Sequence, residues 1–110
     1  MSAIGELETL ILLAALRLGD DAYGVSVRDE IAARTGRRLT RGAIYTALRR
    51  LEDKGFVSAT LGESTPARGG RAKRFLSLTD AGLAELRSAT RDLDRMRVGL
   101  DHVLADDSCA

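Results

Sequence analysis

The segment from Ile4 to Leu18 constrains this fold more than any other stretch. Ile4, Leu7, Leu10, Ile11, Leu13, Ala14 and Leu18 recur mostly at spacings of three and four, the period of a helix that ends near Gly19. Leu12, Ala15 and Leu16 fill much of the opposite side, so the helix is apolar nearly all round. Such a helix must be covered twice, by its own core and by something else. With 110 residues and 45% hydrophobic side chains, the chain can build one compact core but not two conventional domains.

The longest apolar run, Leu10 to Leu16, falls far short of the roughly 20 residues that cross a bilayer. Glu6 and Glu8 precede it, where an export signal carries positive charge. Cys109 is the single cysteine, so an intrachain disulfide is excluded. These features predict a cytoplasmic protein with no membrane partner.

Beyond the Gly19-Asp20-Asp21 break, Val25, Val27, Ile31 and Ala32 predict a second helix, opening near Tyr23 or Gly24 and closing at Gly36. Thr40 offers an N-cap for a third helix, with Ile44, Leu48 and Leu51 as its inward stripe and Gly55 as its stop. Phe56 to Leu61 and Arg74 to Leu78 read as strands, the second with Phe75 and Ser77 on the face opposite Leu76 and Leu78. The connection between them, Gly62 to Lys73, holds the only Pro and the pair Gly69-Gly70, and is too long for a two-residue turn.

Thr79 or Asp80 caps a last helix, expected to run to about Leu104 before a polar tail. Along it Leu86, Ala89, Leu93, Met96, Leu100 and Val103 alternate spacings of three and four, a heptad seam. The predicted fold is mainly α with a small β-hairpin (α+β). It comprises a winged helix-turn-helix over residues 1–78, a C-terminal dimerisation helix over 79–105 and a tail over 106–110.

The net charge of +1 conceals a division along the chain. From Arg34 to Arg74 there are 11 Lys or Arg against three acids, whereas the remainder has six against 13. A basic middle between acidic ends is the footprint expected of a protein that meets a polyanion, although a merely solvated face would look the same. The third helix and the hairpin loop carry these cations, and in this architecture the third helix enters the major groove of double-stranded DNA.

Arg41, Tyr45 and Arg49 repeat every four residues and so share one face, away from the apolar stripe. Gly42 and Thr46 beside them let the backbone come close to the groove, and Arg38 and Thr40 lie just before the helix. Arginine forks suit phosphate or guanine, and Tyr45 can donate to phosphate. In the wing, Arg68, Arg71 and Lys73, with Arg74, can neutralise phosphates without reading sequence.

The heptad seam and the two-sided first helix leave more apolar surface than a domain of this size covers alone, at about 25 cal/mol per Å² exposed. A two-fold homodimer resolves this, with Leu7, Ile11, Leu86, Ala89, Leu93, Met96, Leu100 and Val103 at the interface. The reading from another class is a winged-helix protein-interaction module without DNA binding. An enzyme finds least support, because His102 is the single histidine and no nucleophile motif or phosphate-cradling loop is present. No cofactor and no metal are expected; His102 and Cys109 alone do not make a metal cluster.

Three strings in series carry a resemblance. They are Tyr23-Gly24 followed by Glu30-Ile31, then the run from Gly42 to Val57 (GAIYTALRRLEDKGFV), then that from Gly70 to Gly82 (GRAKRFLSLTDAG). Together, over about residues 5–87, they resemble the signature of the PadR family. The resemblance implies a winged helix-turn-helix transcriptional repressor, dimeric through its C-terminal helix, which in some members is released from DNA by a small-molecule effector. The effector is left unidentified. Arg74-Phe75 stands where that family usually shows paired aromatics, and Thr46 where Pro is frequent. The chain looks like the short members, with a single C-terminal helix.

Overall fold

A computed structural model of the chain describes residues 4–62 and 73–105. Its elements are α1 (Glu6–Leu18), a 3-10 turn (Gly19–Asp21), α2 (Gly24–Thr35), α3 (Arg41–Asp53), β1 (Val57–Leu61), β2 (Arg74–Leu78), α4 (Asp80–Arg97) and the short α5 (Asp101–Leu104). Each start follows from local chemistry. The Thr40 hydroxyl accepts the Ala43 N–H at 3.1 Å and opens α3, and Thr79 does the same for Gly82 at 3.0 Å and opens α4. At α1, the Glu8 carboxylate reaches back to the Gly5 N–H at 3.1 Å.

The core forms where the helices meet the hairpin. Ile11 and Leu12 of α1, Val27 of α2, and Ile44 and Leu51 of α3 are fully buried, and Val57, Leu76 and Leu86 close the cluster from β1, β2 and α4. β1 and β2 pair antiparallel with Val57 opposite Leu78, Ala59 opposite Leu76 and Leu61 opposite Arg74. On its other edge β2 donates the Leu76 N–H to the Ala22 carbonyl at 2.8 Å. This bond fastens the hairpin to the segment between α1 and α2, so wing and helices form one unit.

The α3–β1 turn is the seat of α4. Thr79 donates its hydroxyl to the Gly55 carbonyl at 2.6 Å and its N–H to the Phe56 carbonyl at 3.0 Å. Two carboxylates of α1 brace α3 and the segment before it. Glu8 holds the Lys54 ammonium at 2.9 Å at the end of α3, and Glu6 pairs with Arg37 ahead of it.

Two expectations are corrected. The last helix does not continue to Leu104: α4 ends at Arg97, Val98 turns extended, and Gly99 takes φ +85°, a left-handed backbone that favours glycine. Ile11 and Leu86, expected at a dimer interface, are 0% and 3% exposed within this chain's own core, so they are closed to a partner. Leu7 also packs partly against that core. The expected polar tail, residues 106–110, lies outside the described residues. Among the described residues no helix is long and apolar enough to cross a membrane.

Candidate nucleic-acid interface

One side of α3 is spent on the core and the other is open. Ile44, Ala47, Leu48 and Leu51 are buried, while Arg41, Gly42, Tyr45, Thr46, Arg49 and Arg50 are exposed. Among the described residues Arg38, Arg41 and Arg49 make no ion pair, so their charge is not neutralised within the chain. The free N–H groups of the first turn and the positive end of the helix dipole add to that potential. The Thr40 oxygen is engaged as the cap, yet its hydrogen remains available to an acceptor.

Tyr45 is 52% exposed and lies across the start of α2, so close that a Cβ on Gly24 would meet its ring carbon at 3.2 Å. The hydroxyl edge of the ring therefore lies against the start of α2, in the corner between the two helices of the helix-turn-helix. Beside it runs an open groove of about 460 Å³, lined by Gly24, Gly42, Tyr45, Thr46, Arg49, Glu52 and Arg74, between α3 and the root of β2. Small residues on its α2 and α3 sides and cations on α3 and β2 suit the passage of a phosphate backbone.

The wing root departs from the sequence expectation in two respects. The Arg74 guanidinium is turned back to Glu52 at 2.9 Å, so part of its charge is spent on α3. The Lys73 ammonium stands 4.0 Å from the centre of the Tyr23 ring, whose neighbour Phe75 meets it edge-on at 5.7 Å. Arg68 and Arg71, the other expected wing contacts, lie outside the described residues. Tyr23, Gly24 and Glu52 are site features that charge periodicity on α3 did not reveal. The Tyr23-Gly24 dipeptide at the opening of α2 was the local signal for the first two, and Glu52 lay within the run from Gly42 to Val57.

A second surface lies between α1 and α4. Its groove of about 670 Å³ is floored by Ile4, Leu10, Leu13, Ala89 and Leu93. Nearby, Leu93 is 56% and Met96 76% exposed, and every residue from Arg91 to Ala105 is exposed, including the expected interface residues Leu100 and Val103. Among the described residues no group of three or more His, Cys, Asp or Glu is placed to hold a metal.

The sequence profile of the transcriptional regulator PadR-like family matches residues 12–88. Several solved structures are similar. A PadR family transcription regulator from hypervirulent Clostridium difficile R20291 superposes with a TM-score of 0.71 at 22% identity, over 92% of this chain and 100% of that one. A PadR-like transcriptional regulator from Bacillus cereus strain ATCC 14579 gives 0.70 at 20% identity, over 92% and 93%. Bacillus subtilis PadR, solved in complex with operator DNA, gives 0.63 at 23% identity, over 77% of this chain and 48% of that one. No curated protein matches the chain. At these identities the structures establish the shared winged-helix fold.

Proposed function

Since the chain belongs to the PadR-like family of transcriptional regulators, we propose that it is a cytoplasmic repressor that grips an inverted-repeat operator as a two-fold homodimer. The observation that carries the proposal is the exposed face of α3, where Arg41, Tyr45 and Arg49 stand opposite the buried Ile44, Leu48 and Leu51, and where neither Arg41 nor Arg49 makes an ion pair among the described residues. In this reading α3 lies in the major groove, Arg41 and Arg49 fork onto guanine or phosphate, and the wing rests on the neighbouring backbone. Bacillus subtilis PadR, similar in fold, was solved bound to operator DNA, which supports DNA as the ligand.

The unpartnered apolar surface of α4, with Leu93 and Met96 at its centre, supports a second copy as its cover. Two-fold symmetry then sets the half-sites about one helical turn, roughly 10 base pairs, or a multiple of that apart. The test is fluorescence anisotropy on labelled duplex from immediately upstream of the protein's own coding sequence, at several salt concentrations. The Arg41→Ala, Arg49→Ala double variant is expected to lose affinity and to lower the slope of log K against log salt by about two. An unchanged slope would remove α3 from the interface.

A further inference from the structure

We infer that Tyr23 is a positioning residue for DNA binding, holding the root of the wing and the Lys73 ammonium in the attitude that meets a phosphate. The inference rests on the DNA-binding reading above and adds a residue that lies outside α3 and outside the cationic loop.

The backbone around Tyr23 is anchored from both sides. The preceding carbonyl, of Ala22, accepts the Leu76 N–H of β2 at 2.8 Å; the Tyr23 N–H donates to the Ser26 hydroxyl at 2.9 Å, and its carbonyl accepts the Val27 N–H at 2.9 Å. The ring therefore leaves a fixed junction between α2 and the hairpin. Lys73 sits where the wing leaves the body: its carbonyl accepts the Gly62 N–H at 2.7 Å, the last described rung below the loop. The Phe75 ring completes the platform. It approaches Tyr23 edge-on and covers Gly62 so tightly that a Cβ there would stand 2.4 Å from its ring carbon.

The ring face attracts the ammonium through its quadrupole. It occupies one side of Lys73 and leaves N–H donors on the other side for an anion. A lysine stem is among the most costly side chains to immobilise. Holding it against Tyr23 before DNA arrives reduces the ordering that binding must impose. Packing alone would be satisfied by leucine, whereas a cation platform requires an aromatic face.

Anisotropy titrations of the labelled upstream duplex with Tyr23→Phe, Tyr23→Leu, Lys73→Ala and the Tyr23→Leu, Lys73→Ala pair test this, with thermal melts to check folding. Tyr23→Phe is expected to bind like the parent, and Tyr23→Leu to bind about threefold more weakly. The leucine change should add nothing once Lys73 is alanine. An equal loss in both backgrounds, or no loss in either, overturns the inference. Should Tyr23→Leu fail to fold, NMR of the parent protein decides: the Lys73 ε-methylene protons are expected upfield-shifted by the ring in both the free and the DNA-bound protein. A normal shift in either state overturns the inference. A parent protein that binds no DNA defeats the functional reading itself, whereas parent binding with additive variants defeats only the role of Tyr23.

Discussion

Gly82 stands directly against the carbonyl of Phe56: a Cβ on it would lie 2.0 Å from that oxygen. The contact joins the first turn of α4 to the turn after α3, at the point where Thr79 already bonds Gly55 and Phe56. Since α3 carries the cationic face and α4 the exposed apolar one, the closeness of these two residues fixes the angle between the two surfaces. Gly82→Ala is expected to cost about 1–3 kcal/mol in chemical denaturation, because backbone rather than a movable side chain obstructs the methyl. A variant as stable as the parent would mean that α4 can shift its seat freely.

Ile11 and Leu93 separate the core from the proposed partner surface. Ile11→Ala empties a fully buried site and is expected to cost about 2–5 kcal/mol, read from the denaturant midpoint. Leu93→Glu places a charge on an exposed position that only a second copy would cover. By light scattering it should give a monomer that keeps its helical circular dichroism signal. A Leu93→Glu protein still dimeric at micromolar concentration would put the interface elsewhere.

Glu52 is an acid lining a groove otherwise suited to phosphate, and it draws Arg74 inward at 2.9 Å. Replacing it by glutamine removes a repulsive charge and frees that guanidinium. Glu52→Gln is expected to tighten binding to scrambled duplex and to steepen the salt slope by about one. A slope equal to that of the parent would mean that Arg74 stays away from the backbone in the complex.

Much of this fold was legible in local chemistry. The caps at Thr40 and Thr79, the stripe of Ile44, Leu48 and Leu51, and β2 from Arg74 to Leu78 stand where residue type and period put them. The open face of α3 followed from the same periodicity. Two readings failed for physical reasons. A helix apolar on all sides, such as α1, gives no signal as to which stripe meets its own core, so Ile11 was assigned to the wrong side. The heptad spacing carried the last helix through Gly99, although a glycine just after Arg95 and Arg97 is itself a stop signal. The contacts of Tyr23 with Lys73, Glu52 with Arg74 and Glu8 with Lys54 join residues far apart in sequence. Only the assembled fold brings them together.

The central claim is sequence-specific DNA recognition, and the most direct measurement is competition on the upstream fragment. Labelled upstream duplex bound by the protein is challenged, at physiological salt, with unlabelled upstream or scrambled duplex of equal length and composition. Specific recognition predicts that the upstream competitor displaces the label at concentrations at least about a thousandfold below those needed with scrambled DNA. Equal displacement by both, or no initial binding, would contradict the account and favour a winged-helix module that engages another protein.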